Sequence, residues 1–405
     1  MDFEDSPEDA AFRAEVRAWL QDNAKPRSGP NDWSRNSEHP DYIENCKRWQ
    51  HTLYEGGWAA LTWPVEYGGR GLSGWHQTIF NQEAAAYDVS TGAFAVGIGM
   101  CGPTLIAHGT EEQKQRYLPA LIRGEEVWCQ LFSEPEAGSD LAGLKTRAVR
   151  DGEEFVVNGQ KVWNSGAHHS DWGILLTRTD PDAPKHKGIT YFLVDMRSPG
   201  IDVRPLVQIT GHAHFNEVFL TDVRIPAENV VGEVNAGWGP THTTLANERT
   251  LIGGGQGQAT GITQLVELAR QCGRDQDPGI RQGLARAHTR MQLMRYMGLQ
   301  VQTASSQGKL PGPGASIMKL FLSLHQSLNG DLIMEIMGAS GMLAGDDAID
   351  GGHWQMAFLG QWGSKIGGGT DQIQRNTIGE RVLGLPGEPR VDKDVPFKDL
   401  ARAGK

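Results

Sequence analysis

The sequence predicts an α+β fold in which a helical block, a compact all-β block and a second helical block follow one another. Three observations carry this. Apolar residues recur at helical spacing from Glu8 to Leu20, from His76 to Tyr87 and from Glu111 to Ile122, with turn signals at Gly68-Gly69 and Gly109-Thr110. Between Lys145 and Val223 the texture changes to short β-rich runs: Glu154 to Val157, Gly173 to Thr179, Tyr191 to Asp195 and Glu217 to Val223. Asp-Gly, Asn-Gly and Pro-Gly turns separate them, as hairpins require. Beyond Pro226 long helices return, over Thr241 to Arg270, Gly279 to Gln307 and Gly314 to Met337. Two segregated helical blocks argue against alternating βαβ units. The expected boundaries are 1–124, 125–236 and 237–405, and the polar, Pro-rich residues after Pro386 read as a tail on the surface or on a neighbouring subunit.

A chain of 405 residues is long enough for two or three packing units. Its 38 Lys plus Arg against 49 Asp plus Glu leave a net charge of -11, which would repel a phosphate backbone, so nucleic acid is not an expected partner. At 39% hydrophobic and 21% charged residues, no membrane insertion is expected. The acidic opening Met-Asp-Phe-Glu-Asp lacks the basic and apolar regions of a signal or transit peptide, which makes the cytoplasm the expected location. Cys46, Cys101, Cys129 and Cys272 form no Cys-x-x-Cys pair and read as free thiols.

Some motifs carry less than they promise. Gly97-Ile98-Gly99-Met100-Cys101-Gly102 matches Gly-x-Gly-x-x-Gly, but its flanks are helical and no βαβ unit surrounds it; the glycines read as close helix packing. His212-Ala213-His214 and His168-His169 have no Cys ligand and no His-Glu-x-x-His spacing beside them, so no metal is expected. Gly338-Ala339-Ser340-Gly341-Met342 lacks the last glycine of a nucleophile elbow. More specific is Phe132-Ser133-Glu134-Pro135-Glu136-Ala137-Gly138-Ser139-Asp140, whose glycine and serines offer backbone N–H groups and hydroxyls suited to a phosphate or a polar ring edge.

That segment has company in a fixed order. Gly56-Gly57-Trp58 through Gly68-Gly69, His108-Gly109-Thr110-Glu111-Glu112-Gln113-Lys114 and Ser133-Glu134-Pro135 with Gly138-Ser139-Asp140 are followed by Asn158-Gly159-Gln160-Lys161-Val162-Trp163, Gly369 to Asn376 and Glu380 to Pro386. Over nearly its whole length the chain resembles the acyl-CoA dehydrogenase family. The resemblance implies an N-terminal helical domain, a central β-barrel and a C-terminal four-helix bundle, with FAD as cofactor. It also implies an acyl-CoA substrate, an electron-transferring flavoprotein as acceptor and a tetramer. Carried over residue by residue, Gln130, Phe132, Ser133, Gly138 and Ser139 resemble the segment that meets flavin and phosphates, with Ser139 also on the CoA side. Trp163 and Ser165 resemble the pair beside the isoalloxazine, and Thr370 and Gln372 the contacts to the adenosine half.

Removing the α-proton of a thioester needs a carboxylate in a dry site. In many family members a Glu follows a Tyr just before the Gly-Thr that is Gly369-Thr370 here; this chain has Gly367-Gly368 instead. A minority of the family places the base in the segment matching Leu245-Ala246-Asn247-Glu248-Arg249. Periodicity supports Glu248 independently, because Leu245, Glu248, Ile252, Gly255, Ala259, Ile262 and Val266 share one helix face and Glu248 interrupts an apolar or small-residue stripe. By resemblance, the Gly368 N–H polarises the thioester carbonyl beside Gly369, and Arg249 supports substrate or base. Two bare glycines also suggest room for a branched, ring-bearing or steroid-derived acyl group.

The chain departs from the family again at Gly273-Arg274-Asp275-Gln276-Asp277-Pro278. Here an Arg-x-x-Phe-Gly loop that reaches a neighbouring subunit's FAD is replaced, and Glu335 stands where a Gln is usual. Acid near pyrophosphate disfavours full FAD occupancy in a homotetramer and favours a mixed tetramer with a homologous chain, unless Arg274 or Arg281 compensates. The alternative expectation is a catalytically weak structural subunit of such a tetramer.

Overall fold

The computed structural model describes residues 5–28, 33–35, 37–253, 261–306, 314–389 and 392–400. They fall into two compact units, one of residues 1–207, 212–248 and 389–405, the other of 208–211 and 249–388.

The first unit opens with α1 (Pro7–Asn23), where Ser6 Oγ accepts from the Asp9 N–H and proline takes the first helical position. Phe12, Val16 and Leu20, four apart, are its buried stripe. Next come α2 (Tyr42–Glu55), α3 (Gly74–Ala84), α4 (Gly102–His108) and α5 (Glu111–Ile122), the last begun by a capping box in which Thr110 and Gln113 satisfy each other's backbone N–H. The Gly97–Gly102 stretch is a π-helical turn running into α4. A Cβ on Gly97 would lie 2.5 Å from Leu121 Cδ1 of α5 and one on Gly102 2.0 Å from Trp63 Cζ2, so both glycines serve close packing, Gly97 against a helix and Gly102 against the Trp63 ring.

The β block holds β1 (Trp128–Leu131), β2 (Arg147–Asp151), β3 (Glu154–Lys161), β4 (Trp172–Arg178), β5 (Ile189–Asp195), β6 (Ile201–Leu206) and β7 (Phe215–Pro226). They form one curled sheet in the order β1-β4-β2-β3-β7-β6, with β5 also paired to β4. β1 runs parallel to β4, and β3, β6 and β7 pair antiparallel. Leu131, Phe155, Val157, Leu175, Phe192, Val218 and Val223 make its core. The tail after Pro386 returns to this block: the Phe397 N–H donates to Ala183 O at 2.9 Å, and the Phe397 ring lies 3.9 Å from the buried Arg178 guanidinium carbon.

α6 (Trp238–Gly253) leaves the β block, and residues 254–260, which include the expected face positions Gly255 and Ala259, lie outside the described residues. The expected single helix from Thr241 to Arg270 is thus described as two pieces, with α7 (Ile262–Gln271) the second. The second unit continues with α8 (Pro278–Ser306), α9 (Gly314–Met337), α10 (His353–Ile366) and α11 (Asp371–Thr377). Leu265, Leu268, Ile280, Leu284, Leu332, Ile333 and Ile336 close its core. No helix among the described residues is long and apolar enough to cross a membrane.

Candidate active site

The Phe132–Asp140 segment is held from below by a buried ion pair. Lys161 Nζ, fully buried at the end of β3, donates to Glu134 Oε1 at 2.8 Å and to Phe132 O at 3.1 Å. Glu134 also accepts from the Lys145 N–H at 2.6 Å and the Thr146 N–H at 2.9 Å. Burial pushes the Glu134 carboxyl up, and Lys161 with the two backbone donors outweighs it, holding the group below its ordinary value. The backbone reverses between Glu134 and Ala137 through two reciprocal hydrogen bonds, leaving Gly138 and Ser139 exposed and Ser133 half-buried. The Phe132 ring turns inward, edge-on to Tyr191 at 5.8 Å, so this residue's aromatic side chain belongs to the core.

Trp163, two residues past β3, takes a left-handed backbone (φ 63°) and is 57% exposed. A bulky residue held in that region at the surface is costly in isolation and needs a constraint from its surroundings. Its neighbour supplies the constraint: Asn164 is buried, its N–H donates to Asn216 O at 3.1 Å and its Nδ2 to Gln130 O at 2.7 Å, while Asn216 Nδ2 returns to Asn164 O at 2.9 Å. Phe215 stands edge-on to the Trp163 ring at 5.8 Å, and Ser165 is exposed beside it. An exposed indole next to the exposed Ser165 fits a flat, polar-edged ring such as a flavin.

Gln130, on β1, brings its side chain to α6. Its Nε2 lies 3.5 Å from Glu248 Oε2, a long contact that joins β1 to α6. α6 is fixed one turn earlier by Thr244, whose Oγ1 meets Thr104 Oγ1 at 2.9 Å and Tyr191 OH at 3.1 Å, and by Thr243, which meets His108 Nε2 at 2.8 Å. Thr241 and Thr244 are fully buried and Leu245 packs on the core, so Glu248 continues the inward face and is itself half-buried. Of Arg249 only the helical backbone is described.

In the second unit, Gly367 ends α10, and Gly368 (φ 64°) and Gly369 (φ 82°) turn the chain into α11. Gln374, buried and not anticipated, staples this turn by donating to Gly368 O at 2.9 Å. Thr370 caps α11 by accepting from the Ile373 N–H at 3.1 Å, Gln372 is exposed, and Asp371 is anchored by Ser323 at 2.6 Å and the buried Lys319 at 3.3 Å. The altered loop neutralises itself in part. Arg274 Nη2 pairs with Asp277 at 2.8 Å and its Nη1 donates to Glu335 O at 3.2 Å, while Asp277 Oδ1 caps the start of α8 through Gly279 and Ile280. Arg274 is therefore engaged by Asp277 and by the backbone of α9.

One grouping was not legible in the sequence: one ligand atom each of Glu38, His212 and His214 lies within 4.8 Å of the other two. Sequence reasoning missed it because the partner lies far upstream in the chain.

The chain matches the family models for the acyl-CoA dehydrogenase N-terminal domain over residues 6–125, middle domain over 129–223 and C-terminal domain over 235–383. It is 42% identical over 388 residues to the acyl-CoA dehydrogenase IpdE1 of Mycobacterium tuberculosis, covering 94% of this chain and 98% of the relative. Among solved structures it is similar to the Tcur3481-Tcur3483 steroid ACAD, with TM-score 0.80 and 30% identity over 96% of this chain and 100% of that one. The ChsE4-ChsE5 complex of Mycobacterium tuberculosis gives TM-score 0.78 and 31% identity over 96% of this chain and 100% of that one. With the three domains in order and the segments of this site inside them, the chain belongs to the acyl-CoA dehydrogenase family and is an oxidoreductase of that class.

Proposed function

We propose that this chain desaturates a bulky, steroid-derived acyl-CoA between its α and β carbons, with Glu248 as the base. The observation that carries the assignment is the placement of Glu248 on the inward face of α6 against Gln130, together with a bare, left-handed Gly368 where the family's commoner base would stand. Glu248 takes the α-proton, and Gln130 holds the carboxylate in line for it. Bound FAD supplies the acceptor for the β-hydride. Gln130, Ser133, Gly138, Ser139, Trp163 and Ser165 would hold the flavin and phosphate side, Phe132 through its backbone, and Thr370 and Gln372 the adenosine side; Gly368 and Gly369 would offer backbone donors to the thioester and Arg249 would support it. The product is a trans-2-enoyl-CoA, and an electron-transferring flavoprotein reoxidises the enzyme.

The bulky substrate class is supported by the missing side chains at Gly367 and Gly368 and by the name of the similar steroid ACAD. A mixed tetramer is supported by Arg274 being committed to Asp277, by a similar structure being a two-protein complex, and by large apolar side chains left exposed in the second unit, Tyr296, Trp362 and Ile366 among them. The test is to purify the chain alone and with a co-expressed homologous partner, read flavin absorbance, and assay straight-chain against steroid side-chain thioesters. Higher flavin content with the partner and preference for the bulky thioester are expected. One tightly held FAD per chain in a homotetramer would overturn the mixed assembly, and preference for straight chains would overturn the substrate class.

A further inference from the structure

Three side chains of ligand chemistry meet away from the residues assigned above. Glu38 precedes α2, and His212 and His214 lie in the stretch leading into β7. One ligand atom from each, two imidazole nitrogens and a carboxylate oxygen, lies within 4.8 Å of the other two. Both histidines are half-buried and Glu38 is exposed. Alternate residues of an extended stretch share a face, which is how His-x-His turns two imidazoles to one side. Glu38 is held there by the backbone between them: the Ala213 N–H donates to its Oε1 at 2.6 Å, across 175 residues of sequence. A bond of this kind orients a carboxylate.

Two imidazoles and one carboxylate are borderline donors that suit zinc, copper or nickel better than magnesium or calcium. Metal bonds of about 2.0–2.2 Å would set the ligand atoms of a tetrahedral site about 3.3 Å apart, so side-chain rotations of roughly 1 Å would close the set. We propose that Glu38, His212 and His214 bind one divalent transition-metal ion of the zinc type, with the remaining position open to water.

The place of the site gives it a consequence. His214 O accepts from the Gly166 N–H at 2.9 Å, and the next residue, Phe215, supports the Trp163 ring. An ion here would tie the loop before α2 to the stretch that braces the Trp163–Gly166 turn. It would act as a staple, and it rests on the three ligands whether or not Trp163 meets a flavin.

The test uses the full chain with its flavin, freed of any histidine tag and treated with chelator. Zinc is titrated by calorimetry and cobalt by visible absorption, with magnesium and calcium as controls. One zinc per chain with a dissociation constant of about 1 μM or tighter is expected, with neither control ion binding. His212→Ala and His214→Ala should each weaken zinc about a hundredfold and Glu38→Gln about tenfold. Glu38→Gln keeps an acceptor for the Ala213 N–H, so it removes ligand charge without removing the backbone bond. Zinc should raise the melting temperature of the unsubstituted chain, and much less that of His214→Ala. No saturable binding below about 100 μM would overturn the proposal, as would zinc affinity indifferent to all three substitutions in variants of normal flavin content.

Discussion

Gln130 Nε2 faces Glu248 Oε2 at 3.5 Å, which sets a side chain of β1 against the carboxylate assigned as base. If Gln130 orients that carboxylate, Gln130→Ala lowers kcat by about tenfold with KM and flavin content little changed, because orientation matters most in the transition state. Gln130→Glu sets a like charge beside Glu248 and should cost more. Steady-state kinetics with flavin quantitation checks this; loss of flavin with unchanged kcat per flavin would make Gln130 a cofactor residue only.

Lys161 and Glu134 stabilise the Phe132–Asp140 segment as a unit. Lys161→Met leaves Glu134 buried without its cation and should destabilise the chain by about 3–5 kcal/mol, with flavin lost from the purified protein. Lys161→Met with Glu134→Gln removes both charges and should recover most of that. Urea unfolding of the two variants decides it, and a single variant within about 1 kcal/mol of the parent would mean that the pair does not hold the segment.

His325 predicts acid sensitivity in the second unit. It is fully buried, and its ring nitrogens face Arg290 Nε at 3.4 Å and Asn329 Nδ2 at 3.0 Å. Burial, with Arg290 adding to it, pushes its pKa down from 6.5 to about 4. The unfolded chain therefore takes up this proton near pH 6.5 while the folded one resists until about pH 4, so stability is full above 6.5 and falls as pH drops through that window. The loss is on the order of 3 kcal/mol. His325→Gln, which keeps an acceptor, should flatten this part of the curve of urea midpoint against pH; an unchanged slope would assign the sensitivity to other groups.

At Gly368 the left-handed φ of 64° sets a cost for any side chain, about 1–2 kcal/mol. Gly368→Glu in a Glu248→Gln background should melt earlier than Glu248→Gln alone and restore part of the dehydrogenation of straight-chain thioesters, with bulky thioesters gaining less. Normal flavin spectra with no rescue on any thioester would show that position 368 does not reach the α-carbon.

How far the sequence could be read depended on how local each signal was. α5 and α9 have the expected bounds, α5 because its capping at Thr110 is visible in one window. β1 was not anticipated as a strand: four residues pairing parallel with β4 across a long separation leave no alternation to see. β6 is largely exposed and offered no apolar run. Glu248 was legible as an acid on an apolar face, but the buried Thr241 and Thr244 that fix that face read as polar, since their satisfaction comes from backbone and from Thr104 and Tyr191. Lys161 was legible only as part of a motif; its partner Glu134 lies 27 residues earlier, and only folding makes the pair.

The most direct test of the account is the turnover of Glu248→Gln on a bulky acyl-CoA, assayed with and without a co-expressed homologous chain. Glutamine keeps the size of the side chain and an oxygen for Gln130 but cannot take the α-proton. Flavin content and substrate affinity should match the parent, while bleaching of the flavin by substrate slows and kcat falls by several orders of magnitude, on the order of a thousandfold or more. Retention of more than about a tenth of the parent turnover would contradict the assignment of Glu248 as the base.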